Sequence, residues 1–302
     1  MAKVLVTGAN GMLGQDICPI LEQNGYEVFK TDISLPCQRE GDHVSGGGKS
    51  LPCQREGDHV SGGGILDITD FHSVISVISE QKPDIVIHCA AYTNVDRAEE
   101  DYETAHKINA TGTENLAKVC GEKNITLVYI STDYVFKGEE ITKLKPTDPT
   151  DPLNNYGLTK WQGEQAVRKY CKKYYIARTA WLYGIHGKNF VETMISLADK
   201  PELKVVDDQV GCPTWTVELC NGIIKLLSGK AFGTYHVCGG GQTSWYGFAQ
   251  EIFDLSGLNV NLKPCTTDEF PRPAKRPAYS VMDNGGLCRP WQDALKDYIA
   301  IR

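Results

Sequence analysis

Lys3-Val4-Leu5-Val6-Thr7-Gly8-Ala9-Asn10-Gly11-Met12-Leu13-Gly14 sets a short apolar run directly before a glycine-rich turn. Lys3 to Thr7 has the length and make-up of a buried strand. Past the turn, Leu13, Ile17, Ile20 and Leu21 fall on one helical face. Outward from this unit the pattern repeats. Tyr26 to Thr31, Asp84 to Cys89 and Ile125 to Ile130 read as strands, and Ala98 to Cys120 carries Ala105, Ile108, Leu116 and Val119 at helical spacing. Strands that alternate with helices make a parallel sheet covered on both faces, and right-handed crossovers leave few topologies. The expected fold is α/β: a doubly wound parallel (Rossmann) sheet with a smaller C-terminal α/β domain. Past Arg178 the pattern loosens. A helix is predicted from Val217 to Leu227, and Pro264, Pro271, Pro273 and Pro277 interrupt a basic stretch that holds Arg272, Lys275 and Arg276.

The 302 residues are 41% apolar and 23% charged, which is ordinary for a folded chain. Lys and Arg number 31 against 38 Asp and Glu, a net charge of −7. That balance leaves no footprint for unspecific binding to nucleic acid or an anionic membrane. No run approaches the ~20 apolar residues of a membrane span, and Met1-Ala2-Lys3 enters the first strand without a signal-peptide layout. A cytoplasmic protein with a small-molecule partner is expected. Eleven cysteines without a Cys-x-x-Cys pair read as reduced thiols, several of them (Cys89, Cys120, Cys220, Cys238) inside apolar runs, and no metal site is expected.

Ser34 to Gly48, SLPCQREGDHVSGGG, recurs unchanged from Ser50 to Gly64 with Lys49 between. The glycine triplets and the lack of an apolar period predict a flexible loop over 34–64. Its removal, joining Ile33 to Ile65, is expected to leave the fold standing. Cys37, His43, Cys53 and His59 offer a metal-ligating alternative, but Cys-x5-His matches no usual zinc spacing. The loop reading is preferred.

Gly8 to Gly14 is G-x-x-G-x-x-G between a strand and a helix. Glycines there allow a tight turn and close approach of the backbone to a pyrophosphate, whose charge meets the helix N-terminus. Asp32 stands 18 positions beyond Gly14, at the end of the second strand, where a carboxylate can bind ribose hydroxyls. A carboxylate there favours NADH over NADPH, although Arg39 or Arg55 in the duplicated block could meet a 2′-phosphate. The preference stays open between NADPH and NADH.

Tyr156-Gly157-Leu158-Thr159-Lys160 puts a phenol and an ammonium four residues apart on one helix face. The ammonium is expected to stabilise the phenolate and lower the tyrosine pKa towards a useful range. By itself the pair is also common on solvated helix faces. Ser131-Thr132-Asp133-Tyr134 follows the strand ending at Ile130, on the edge where open α/β sheets bind ligands. A hydroxyl there can hold a ketone while Tyr156 supplies a proton.

With these parts the chain resembles the extended short-chain dehydrogenase/reductases and, within them, the dTDP-4-dehydrorhamnose reductases. The likeness rests on Cys89 to Asp96 (CAAYTNVD), Ile130 to Phe136 (ISTDYVF), Arg178 to Gly184 (RTAWLYG), Asp208 to Thr214 (DQVGCPT) and Arg272 to Pro277 (RPAKRP). It runs from residue 3 to about 282, interrupted by 34–64. The resemblance implies that Gly8, Gly11, Met12, Leu13, Gly14, Asp32, Asp67, Ile68, Ala90, Ala91, Tyr92, Tyr156 and Lys160 line the cofactor. It implies that Thr132, Asp133 and Trp181 meet the sugar nucleotide, with Tyr156, Lys160 and Thr132 as the catalytic set. It also implies an NAD(P)-binding domain over 1–182 plus 213–232, and a sugar-nucleotide-binding domain over 183–212 plus 233–302. The implied reaction is NAD(P)H-dependent reduction of the 4-keto group of dTDP-4-dehydro-6-deoxy-L-mannose to dTDP-L-rhamnose. The family sometimes uses magnesium at a dimer contact, so a homodimer and a magnesium ion are allowed, but no acidic ligands carry over residue by residue.

Two stretches depart from the family: the 34–64 block, and Asn284 to Arg289, which looks shortened. Related dehydratases carry Thr-Asp-Glu where this chain has Thr132-Asp133-Tyr134, and Tyr134 lacks the carboxyl group that water loss needs. A nucleotide-sugar epimerase is a second alternative. The third is a non-catalytic dinucleotide-binding subunit resembling the methionine adenosyltransferase beta subunit.

Overall fold

The computed structural model describes residues 1–33, 63–139 and 141–302. In chain order the N-terminal part holds β1 (Lys3–Thr7), α1 (Met12–Gln23), β2 (Glu27–Asp32), β3 (Gly63–Ile65), α2 (Phe71–Gln81) and β4 (Ile85–His88). Two short helices follow, α3 (Arg97–Glu100) and α4 (Tyr102–His106), then a π-helical turn over Lys107–Gly112, α5 (Thr113–Glu122) and β5 (Thr126–Thr132). Next come α6 (Asn155–Tyr170), β6 (Tyr174–Thr179), β7 (Leu182–Tyr183), α7 (Phe190–Ser196), β8 (Leu203–Val206), β9 (Val210–Gly211) and β10 (Thr214–Trp215). The chain closes with α8 (Thr216–Leu227), β11 (Gly233–His236), β12 (Thr243–Ser244), α9 (Trp245–Ser256), β13 (Leu262–Cys265) and α10 (Trp291–Ile301).

Seven parallel strands form the main sheet in the order β3-β2-β1-β4-β5-β6-β11. Strand order reverses between β1 and β4, so the crevice beyond their carboxyl ends is where such sheets take ligands. One face of the sheet buries Val4, Val6, Ile87 and Val128 against Leu13, Ile17 and Leu21 of α1 and Leu219 and Ile223 of α8. The other buries Leu5, Val86, Leu127 and Tyr129 against α2, α5 and α6 through Val74, Leu116 and Val167. A separate aromatic core (Tyr183, Trp215, Phe248, Trp291, Tyr298) belongs to the smaller lobe, whose strands pair in twos.

Three expectations need correction. The stretch 98–120 is not one helix: the backbone leaves helical values at Asp101 (φ −125°, ψ 54°), and the π turn then adds a residue before α5. Gly233–His236 pairs with β6 as the seventh strand, so the main sheet reaches past the expected boundary at 232. Gly63 and Gly64 belong to β3, set beside Lys30 and Thr31 of β2, and are therefore not loop. Parallel neighbours need a connection that runs back along the strand, so Ile33 and Ile65 cannot simply be joined with β3 kept. The rest of the duplicated block, with Cys37, His43, Cys53, His59, Arg39 and Arg55, lies outside the described residues.

Candidate active site

The glycine turn sits at the carboxyl end of β1. Gly8 takes φ +68°, and a Cβ on Gly14 would lie 2.2 Å from Gly8 O, so only glycine lets α1 start this close to the strand. No side chain caps α1, whose first N–H groups are left for a ligand. The Asp32 carboxylate accepts from Asn10 N and Ile33 N, each at 2.8 Å, which fixes a negative charge beside the turn. An uncapped helix end, a turn without side chains and an anchored carboxylate fit a dinucleotide. Asp67 accepts from the Thr69 backbone N–H and hydroxyl, and Ala90 N donates to Thr7 Oγ1 at 3.3 Å. Ala91 and Tyr92 follow on the half-buried segment after β4. The Leu13 and Ile68 side chains are buried in the two sheet cores, so only their backbone could meet a cofactor.

Thr132 ends β5 and its hydroxyl accepts from Tyr134 N at 3.1 Å, starting a single 3-10 turn. On α6, Asn154 caps the helix by accepting from Gly157 N at 2.8 Å, which sets Tyr156 in the first turn. The Tyr156 phenol stands beside the Thr132 turn, whose side chain favours the ionised phenol, and its ring lies edge-on to Tyr134. Burial, then the nearby Asp133 carboxylate, holds the phenol well above its ordinary range, against the opposite pull of the Thr132 side chain. The expected lowering by Lys160 is not found in the free chain: desolvation and Asp133 set the direction, and Lys160 is not among the groups that shift the phenol. Lys160 itself is buried, its ammonium 4.2 Å from the Tyr129 ring centroid, and burial brings its pKa down to about 7 while Glu164 opposes that fall. Asp133 is buried with Oδ2 unpartnered among the described residues, and burial raises its pKa to about 6.

Trp181 follows β6 and packs on the cluster that includes Val135 and Phe136, next to the Thr132 turn. Its φ of +47° is unusual for a side chain of this size. A Cβ on Gly211 would lie 2.6 Å from the Trp181 ring, which explains the glycine of DQVGCPT.

Two features escaped the reading of the sequence. Asn109, in the π turn, is buried; its amide donates to Tyr92 O and Thr159 Oγ1, and its Oδ1 accepts from Tyr92 N at 2.9 Å. It ties the segment after β4 to α6, and the signal was an amide set among Ala105, Ile108 and Leu116. Glu164, fully buried, accepts Nε and Nη2 of Arg178 at 2.8 Å each and the Ser131 hydroxyl at 2.7 Å. Losing one member of such a pair costs about 3–5 kcal/mol. Among the described residues no group of three or more His, Cys, Asp and Glu side chains could hold a metal, so the allowed magnesium finds no support, and all nine described cysteines are free.

The family model "RmlD substrate binding domain" matches residues 2–301. The chain belongs to this family. The spore coat polysaccharide biosynthesis protein SpsK of Bacillus subtilis is 38% identical, with 100% of this chain and 98% of that protein covered. A dTDP-4-dehydrorhamnose reductase from Clostridium acetobutylicum is 44% identical with a TM-score of 0.87, covering 99% of both chains. One from Bacillus anthracis, solved in complex with NADP, is 37% identical with a TM-score of 0.87, covering 100% of both. The fold and family implied by the motifs are therefore borne out.

Proposed function

We propose that this RmlD-family chain is an NAD(P)H-dependent dTDP-4-dehydrorhamnose reductase that makes dTDP-L-rhamnose. The observation that carries the reading is the placement of Thr132, at the carboxyl end of β5, beside Tyr156 in the first turn of α6, next to the crevice that the glycine turn borders. The similarity to reductases over the whole chain supports it. The nicotinamide, when bound, supplies a hydride to C4 of the keto-sugar. Thr132 Oγ1 orients the carbonyl, and the Tyr156 phenol donates its proton to the carbonyl oxygen as negative charge develops there. A phenol held above its ordinary pKa stays protonated and neutral at neutral pH, so the donor carries the proton it must give; the developing alkoxide is a much stronger base. Lys160 holds the nicotinamide ribose and stabilises the phenolate left behind. The unpartnered Asp133 Oδ2 can accept from a sugar hydroxyl, and Trp181 offers an aromatic edge to the sugar. Among the described residues no helix is long and apolar enough to cross a membrane, and the cytoplasm suits an enzyme using nucleotide sugars and a reduced dinucleotide.

The test is oxidation of NADPH and of NADH with the dTDP-keto-sugar, followed by absorbance and by product analysis. Stoichiometric dTDP-L-rhamnose is expected. Conversion without net oxidation of free cofactor would show an epimerase, and dinucleotide binding without turnover would show a binding subunit.

A further inference from the structure

Lys160 is buried and must carry a charge to hold a ribose and stabilise a phenolate. Its surroundings are mostly neutral. Its charge acts on His88 of β4 and, one residue on, Cys89; its ammonium lies over the Tyr129 ring of β5; on its own helix Tyr156 stands one turn before it and Glu164 one turn after. His88 sits between the hydroxyls of Thr7 and Thr113, at 2.8 and 3.1 Å, and burial then the Lys160 charge push its pKa down to about 3. Burial raises the Cys89 thiol and both phenols well above neutrality, so none of them is ionised there. Among these groups Glu164 alone is an anion at neutral pH. It lies one helical turn beyond Lys160 on the same face. Its carboxylate is held by Arg178, by Arg168 at 2.8 Å and by Ser131, the residue before Thr132.

We propose that Glu164 is a positioning residue that keeps Lys160 charged in its buried site, acting from a carboxylate fixed by Arg178, Arg168 and Ser131. The same carboxylate joins the three elements that carry the site: β5 with Thr132, α6 with Tyr156 and Lys160, and β6 leading to Trp181. Fork-like bonds to Arg178 stop it from following a rotating lysine, so the charge stays in one place. This rests on the roles given to Tyr156 and Lys160 above.

The test compares the parent, Glu164→Gln and Glu164→Asp holoenzymes. Two readouts are taken over one pH range: kcat/KM for the keto-sugar, and NADPH affinity from its fluorescence. Loss of the anion lowers the lysine pKa, so in the Gln variant the basic limb of kcat/KM and the pH at which NADPH affinity is lost should both move down by about one unit or more. The Asp variant, which keeps the charge, should restore the parent pH values. A Gln variant with lower amplitude but unmoved midpoints would make Glu164 only structural and overturn the proposal. If Gln alone fails to fold because Arg178 is left unpaired, the Glu164→Gln/Arg178→Gln double variant gives the same readouts. The cation lost with the anion makes a smaller downward shift the expected result, since Glu164 and not Arg178 acts on Lys160 directly, and an unmoved or raised midpoint is again decisive. If the parent binds NADPH but never reduces the keto-sugar, the functional reading fails while the NADPH midpoint still decides this one.

Discussion

The indole of Trp181 stacks on that of Trp245, with ring centroids 3.6 Å apart and planes 7° from parallel. Trp245 opens α9 and is backed by Phe190, centroids 4.6 Å apart, so one face of Trp181 leans on the core of the smaller lobe. The positive φ of Trp181 costs about 1–3 kcal/mol, and stacking returns only about 0.5–1.5 kcal/mol. The balance comes from burying the indole against Trp245 and Gly211, so the wall is set by its neighbours. Trp245→Ala should therefore loosen Trp181 and raise the KM for the keto-sugar roughly tenfold, a change of about 1.4 kcal/mol, with NADPH affinity unchanged. Steady-state kinetics with an NADPH titration checks this, and an unchanged sugar KM would remove Trp181 from the sugar site.

Tyr156→Phe removes the hydroxyl beside Thr132 and leaves the ring, whose centroid is 5.7 Å from that of Tyr134. Melting temperature and NADPH affinity should stay at parent values while turnover drops by ~10²–10⁴, the range for loss of a general acid. Reduction at the parent rate would show that another group donates the proton. Lys160→Met should differ by weakening NADPH binding as well, since one change removes both the ribose contact and the charge.

How much of this was legible follows from period and spacing. The Lys3–Thr7 strand, the glycine turn and the α1 stripe of Leu13, Ile17 and Leu21 announce themselves because each obeys a local rule. Tyr156 and Lys160 could be placed on one face for the same reason. Asn109 was hidden because a π turn has no local period: its position depends on Tyr92 and Thr159 closing around its amide. Glu164 reads as a solvated helix charge until Arg178, on a strand it meets only in the fold, is seen to bury it. The Tyr156 pKa was misjudged because spacing shows a neighbouring charge but not the desolvation of both partners.

Asp32 bears on the choice of cofactor. Two backbone N–H groups hold its carboxylate, so it cannot swing away from a 2′-phosphate without breaking both bonds. Asp32→Ala should raise the ratio of kcat/KM with NADPH to that with NADH by about tenfold, the scale of one screened like-charge contact near 1.4 kcal/mol. It should also weaken NADH, which loses its ribose partner. A ratio that stays at the parent value would place the adenosine ribose elsewhere.

The duplicated block gives the last prediction, altered by the register of β3. Gly63 stands beside Lys30 while β2 runs on to Asp32, so the chain must travel back about three residues and across one strand spacing, roughly 11 Å. About six Gly or Ser residues have an average span of ~13 Å. Replacing the 29 residues 34–62 by such a linker shortens the closure by a little over two doublings, worth ~1.3 kcal/mol. With no apolar period the block has little to bury, so the melting temperature should hold or rise by about 2 °C. Direct ligation of Ile33 to Ile65 should instead lower it, because Gly63 and Gly64 are lost and the bond from Leu66 N to Asp32 O is strained. If Cys37, His43, Cys53 and His59 hold a metal, purified protein would contain a stoichiometric ion, and the linker variant would melt lower, because metal binding adds to folding free energy. Thermal scans of the three chains, with metal analysis of the parent, separate these outcomes.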